Sequence, residues 1–428
     1  MPYSKKNNDL QPEGNLKDEL MAGLVGYLTM VYIVVVNGSI LSEAGISLEA
    51  GMMATILASF VGTLVMGLVA KLPLLLIPGM GINALFAYSI VEGSGLTYQE
   101  GLAVVLIAAV IFMITAFSRL GVLLRDAIPD TLKHGITAGL GLFLILIGLE
   151  KSGLVISGTS TVVAIGDFTS PSVIAGILTL FLAIFLFIRN VPANFLITMI
   201  AGTAIAYLFG TVDTSSGTML EINPEELLFI PSFTAVDELA FWLSIFPLAI
   251  ILIFENMGIL HGQLEMLDKH GQYKRAYQVT SFSTLTCAFF GTSPTVSAAE
   301  NAAVIASKGK TGKAAITAAL LFLGTIFIIP WISIIPDTAI SPILIIVGIL
   351  MAQSLRHIPM DNLPEALPGF LIVVLIPFTY SIADGMAFGF IAYPIVKLAQ
   401  GRYKDLSPTL VIISMLFVLD LVMKITGL

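Results

Sequence analysis

The sequence predicts an all-α polytopic membrane protein of about 14 transmembrane segments in two inverted seven-segment repeats, the third and tenth segments discontinuous and carrying short strands. Three observations lead there. The 428 residues are 57% hydrophobic and 11% charged, with a mean hydropathy of +0.98. Apolar runs of roughly 17–20 residues, the length that crosses a ~30 Å hydrocarbon core, recur throughout. Two such stretches are broken by Pro and Gly, and a four-residue sequence recurs at matching places in the two halves.

In order, strong spans are read at 18–36, 52–70, 101–118, 134–150, 172–188, 193–211, 241–260, 273–290, 313–335, 340–355, 384–400 and 407–427. The first twenty residues lack the apolar core of a cleaved signal, so residues 1–17 are expected to be a cytoplasmic tail. Residues 73–92 and 288–308 are the broken stretches, and each supplies one more crossing. Backbone broken at membrane depth is tolerated where protein or a water-filled cavity satisfies the freed groups. The extended pieces Leu74–Ile77 and Thr295–Ser297 are expected to meet as short strands, with half-helices beginning near Gly81–Asn83 and Ala298–Glu300.

Loops bearing Lys71, then Arg119, Arg125 and Lys133, then Arg189, then Lys269, Lys274 and Arg275, then Lys308, Lys310 and Lys313 alternate with loops nearly free of basic residues. The positive-inside rule places the former in the cytoplasm. Residues 212–240 carry Asp213, Glu221, Glu225, Glu226, Asp237 and Glu238 without Lys or Arg, and form an extracellular connector. It separates a first repeat, 18–211, from a second, 241–428. Seven crossings precede it, and an odd number forces the repeats to be inverted. Ile128-Pro129-Asp130-Thr131 recurs as Ile335-Pro336-Asp337-Thr338, and Asn83-Ala84 matches Asn301-Ala302. The end of the chain fits less well. Residues 366–380 are apolar but short, and Arg402 and Lys404 favour the cytoplasm where the repeat would put their loop outside.

Function is sought at Glu255 and Glu300, which lie within apolar stretches. A charge at mid-bilayer depth costs about 2.5–3.5 kcal/mol on insertion scales, so such acids face a bundle interior and mark substrate or proton paths. His261 lies near Glu255 and is either a proton partner or the wet end of its helix. Asp384 and Asp420 read as paired or helix-end acids, and His134 and His357 as solvated residues at cytoplasmic ends. Cys287, the single cysteine, excludes an internal disulfide and, having no cysteine partner, a cysteine-based metal centre. Enzymatic motifs such as H-E-x-x-H and G-x-S-x-G are missing from the sequence. Gly309-Lys310-Thr311 imitates the end of a phosphate loop, but Val304 stands where the first glycine belongs, and the segment reads as a basic turn.

Pro78-Gly79-Met80-Gly81-Ile82-Asn83-Ala84-Leu85-Phe86-Ala87-Tyr88 closely resembles the P-G-M-G-x-N-A-x-F-A-Y signature of the azaguanine-type (AzgA-like) purine permeases, a branch of the nucleobase–cation symporters that include the xanthine/uracil permeases. Residues 22–32, 135–143 and 377–385 resemble that family's first, fifth and late segments, so the likeness runs the length of the chain. The resemblance implies a core domain against a gate domain, with a nucleobase bound between the third and tenth segments. It places substrate contacts on Asn83, Glu255 and Glu300, with Ala299 beside the last and with Phe86 and Tyr32 as ring-stacking candidates. A carboxylate accepts two neighbouring N–H groups of a base, and an amide such as Asn83 donates and accepts.

Two departures affect the choice of base. The family's D-T-x-G-T is here Glu255-Asn256-Met257-Gly258-Ile259, and its T-Y-I-E-S is Ala298-Ala299-Glu300-Asn301. The expected activity is import of guanine, hypoxanthine or adenine by proton symport, with Glu255, Glu300 and His261 as coupling groups. The alternatives are a xanthine or uracil permease, or an anion transporter of the same fold. No cofactor is expected, Na⁺ coupling stays open, and the partners are the nucleobase and the bilayer, with a homodimer compatible and nucleic acid excluded. The expected location is the plasma membrane.

Overall fold

The computed structural model describes residues 15–426 apart from 119, 122–126, 159–160, 162 and 213–227. The expectations resting on Arg119, Arg125, Asp213, Glu221, Glu225, Glu226 and most of the tail lie outside the described residues. The elements in order are α1 (Leu16–Met30), α2 (Tyr32–Glu43), α3 (Leu48–Val65), β1 (Leu76–Pro78), α4 (Met80–Ala84), α5 (Tyr98–Phe117), α6 (Asp130–Lys151), β2 (Val155–Ser157), β3 (Val163–Ile165), α7 (Pro171–Ile188) and α8 (Asn194–Leu208). Then come α9 (Leu239–Met266), α10 (Tyr273–Phe290), β4 (Thr295–Ser297), α11 (Asn301–Ala306), α12 (Gly312–Gly324), α13 (Ile329–Ile332), α14 (Asp337–Ala352), α15 (Leu363–Thr379), α16 (Ile382–Ala399) and α17 (Pro408–Thr426). Among the described residues, ten helices are long and apolar enough to cross a membrane.

Both broken stretches contain a strand followed by a short helix. β1 and β4 pair antiparallel, with Leu76 opposite Ser297 and Pro78 opposite Thr295. All six residues are buried. Beyond α4 the chain winds as a π-helix from Leu85 to Glu92, a wider coil that turns each side chain away from its α-helical bearing.

Small residues let the helices meet backbone to backbone, as in membrane bundles generally. Gly141 of α6 lies against Gly348 of α14, and Gly148 against Ser341, so these two helices run antiparallel. Gly135 meets Gly369 and Gly139 meets Ile372 of α15, so α6 and α15 run parallel. The apolar 366–380 stretch belongs to this helix of 17 residues. Pro364 sits in its first turn, whereas Pro368 and Pro377 lie inside it, the latter three residues before the left-handed Tyr380 that ends it. α16 returns antiparallel, its Lys397 ion-paired with Glu365.

α17 then runs back along α16, with Ser414 Oγ donating to Phe390 O at 2.6 Å and Lys424 paired with Asp384 and Asp420. Ser407 Oγ donates to Ala127 O at 2.9 Å, which puts the Arg402 and Lys404 turn at the same end as Lys133. This end carries the basic loops. The conflict read at residues 402–404 disappears because α15 adds a helix that the fourteen segments do not include.

The turn at Gly309-Lys310-Thr311 holds an internal carboxylate. Glu19, fully buried, accepts the backbone N–H of Lys310 and of Thr311, each at 3.0 Å. Cys287 is buried and free.

Candidate functional site

α9 brings Glu255, Gly258 and His261 to one side, because residues three apart share a helix face. They line a cavity of about 1020 Å³ bounded on one side by Tyr32, the end of β1, α9 and β4 to Glu300, and on the other by the start of α6 and by Val347–Met351 of α14. Tyr32 stands at the break between α1 and α2. Its hydroxyl donates to Glu300 Oε1 at 2.6 Å, and its ring packs edge-on against Phe195 at 4.8 Å. Glu255 Oε2 is buried and has no hydrogen-bond partner among the described residues. Ala299 is exposed to the same space.

A buried amide network fixes Glu300 relative to Glu255. Gln263 Nε2 donates to Ala298 O at 2.6 Å, and its Oε1 accepts from Ser297 Oγ at 2.6 Å. Asn256 Oδ1 accepts from Ser297 N at 3.3 Å. Asn301 Oδ1 accepts from Leu75 N at 2.8 Å, while its Nδ2 donates to Leu75 O at 3.0 Å. The strand before Glu300 is thus held by side chains of α9 and α11 as well as by β1. Sequence reasoning did not single out Asn256 and Gln263 as scaffold residues. Their signal was spacing: seven residues apart, they form a polar stripe beside the one that carries Glu255.

Of the other expected contacts, Phe86 and Asn83 do not line the cavity. Phe86 is fully buried with its ring edge-on to Tyr98 at 5.3 Å and close to Gly101, so it packs the interior instead of stacking on a ligand. Asn83 is fully buried one turn beyond the lining residues Gly79 and Met80, and both its amide O and N lack partners among the described residues. His261 is exposed to the cavity, with His270 at 6.4 Å and Tyr273 at 6.3 Å between ring centroids. His134 also lines the cavity, and its ring lies 4.9 Å from that of the exposed His357. Lys133 is bonded to Asp130 at 3.0 Å and lies 5.3 Å from the Phe254 ring centre.

Asp130, Lys133 and His270 belong to the basic end, so the cavity reaches toward that end. The opposite end is bridged. Lys151 of α6 pairs with Glu43 of α2, lies 3.4 Å from Asp337 of α14 and donates to Ser39 Oγ at 3.2 Å. Glu43 also accepts from Tyr88 Oη at 2.6 Å. The elements that flank the cavity at one end are therefore tied together at the other.

The model of the permease family matches residues 17–423. The chain belongs to that family. Among relatives of this permease, the nucleobase transporter PlAzg2 of Paenibacillus larvae is 42% identical over 88% of this chain and 76% of its own length. The guanine/hypoxanthine permease PbuO of Bacillus subtilis is 38% identical over 96% of this chain and 98% of its own. A solved structure, the transmembrane domain of the cyanobacterial bicarbonate transporter BicA, superposes with a TM-score of 0.69 at 17% identity, over 87% of this permease and 98% of that domain. At that identity the likeness is one of fold. The permease is a multi-pass membrane transporter and not an enzyme.

Proposed function

We propose that this permease imports purine nucleobases, guanine, hypoxanthine or adenine, by proton symport, with the base held in the cavity between Glu255 and Glu300. The observation that carries the reading is a pair of intramembrane carboxylates facing one cavity, one of them with an oxygen that has no protein partner. A nucleobase offers adjacent N–H donors to such acceptors. Glu255 and Glu300 are the coupling groups, since intramembrane acids lie on proton relays, and His261 is placed to pass protons toward the mouth. Asn83 lies one turn behind the lining residues Gly79 and Met80, its amide a donor and acceptor without a protein partner among the described residues. PlAzg2, by the substrate its name states, supports a nucleobase, and PbuO, named for guanine and hypoxanthine, supports the purine class. An anion carrier is the rival that the shared fold raises. Lys133, the lysine of the lining, is bonded to Asp130 and leaves the two glutamates facing the ligand, which disfavours an anion.

The architecture that goes with this reading is two inverted repeats of seven segments, the second closing at α16 so that α17 lies beyond it. The repeats form a core, with the strands and the carboxylates, and a gate that includes α6 and α14. The basic end faces the cytoplasm, the cavity opens inward, and the Lys151 network is the closed outer side. Proteoliposomes holding the purified permease are expected to accumulate radiolabelled hypoxanthine under an inward acid gradient and to lose it on addition of a protonophore. Uptake indifferent to both contradicts the coupling, and failure to take up any of the three purines contradicts the substrate.

A further inference from the structure

Glycine inside a helix is destabilising relative to alanine and usually has a packing reason. Gly141 and Gly135 show such a reason, since a Cβ on either would strike the backbone of a facing helix at 2.5 and 2.7 Å. Gly258, in the interior of α9, shows none: an added Cβ would meet no atom within 4 Å. The space over it is the cavity, which Gly258 lines one turn from Glu255. Gly262, one turn further on, is equally open but is not part of the lining. Ala299, which also lines the cavity, is the exposed residue immediately before Glu300.

We propose that Gly258 is a specificity-determining residue, a bare stretch of helix backbone beside Glu255 that leaves room for the second ring of a bicyclic base. A planar ligand whose N–H edge meets Glu255 lies along the face that runs one turn onward to position 258. A side chain there occupies the volume of the second ring while leaving both carboxylates, the Tyr32 bond and the Gln263 network in place. This rests on the reading of the cavity as the nucleobase site, and it adds the element that selects two rings over one.

The test uses detergent-purified full-length permease as wild type, Gly258→Ala, Gly258→Val and Gly262→Ala. Thermal unfolding is measured without ligand, and affinities are measured for hypoxanthine, adenine and uracil. Gly258→Ala is expected to unfold at or above the wild-type temperature, because it adds helix propensity without a clash. Its purine affinity is expected to fall by roughly tenfold, the lower range for one misplaced methylene-sized group, and further in Gly258→Val. Uracil affinity is expected to hold, so the uracil-to-purine ratio rises, whereas Gly262→Ala keeps the wild-type profile. Purine affinities unchanged in both Gly258 variants overturn the proposal and leave the site intact. An equal loss for uracil and purines also overturns it. A wild type that binds no nucleobase overturns the reading of the cavity itself, and the proposal with it.

Discussion

Glu300→Gln is expected to lower purine affinity by tenfold or more and to abolish measurable uptake, while the protein still folds. The amide keeps the shape of the side chain but removes its charge and one acceptor. A hydrogen bond to a charged group contributes about 1.5–3 kcal/mol, which is roughly 10–150-fold in affinity. Glu300 Oε1 already accepts from the Tyr32 hydroxyl, so the second carboxylate oxygen is the one left for a ligand. Tyr32→Phe leaves Oε1 unpaired and is expected to be the milder change, because the charge remains. Binding and uptake of hypoxanthine by both variants, and by Glu255→Gln, provide the check. Well-folded Glu300→Gln and Glu255→Gln proteins that both transport normally place the site elsewhere.

Asn301→Ala and Asn83→Ala are expected to differ in their effect on stability although they occupy matching places in the sequence. The Asn301 amide satisfies both the N–H and the C=O of Leu75, next to β1. Its loss leaves two buried backbone groups unpaired at about 1–3 kcal/mol each, so the midpoint of thermal unfolding is expected to fall by several degrees. Uptake falls with it, because the β1–β4 pair carries the chain into Glu300. Asn83 has no partner for either amide atom among the described residues. Removing it costs no protein hydrogen bond, so unfolding is expected to stay near the wild-type temperature while affinity for every purine weakens. Thermal scans of the two variants beside wild type decide the matter. Equal destabilisation would mean that Asn83 has a structural partner.

The class, the broken stretches and the residues around the carboxylates were legible because each has a one-dimensional signature. Hydropathy runs mark helices, and Pro with Gly marks the places where β1 and β4 form. Glu255, Glu300, Tyr32, Ala299 and His261 all reach the cavity. Phe86 does not, and the reason is local: an α-helical projection cannot foresee the π-helix at Leu85–Glu92 that carries its ring toward Tyr98. Residues 366–380 were read as apolar but short, and the helix α15 begins earlier than that stretch, at Leu363 with Pro364 in its first turn. The Gln263 and Asn301 bonds were out of reach for another reason. They join side chains to backbone groups up to 226 residues away, and nothing in local pattern encodes the partner. The Lys151 bridge to Asp337, 186 residues on, is of the same kind.

Thermal stabilisation of the purified permease by a panel of guanine, hypoxanthine, adenine, xanthine, uracil, bicarbonate and sulfate tests the central claim, since a ligand that binds the folded state raises its unfolding temperature. The purine nucleobases are expected to stabilise wild type, to lose that effect when Glu255 and Glu300 are both Gln, and to exceed the effect of either anion. Stabilisation by bicarbonate or sulfate with none by any purine would contradict a nucleobase site between the two carboxylates.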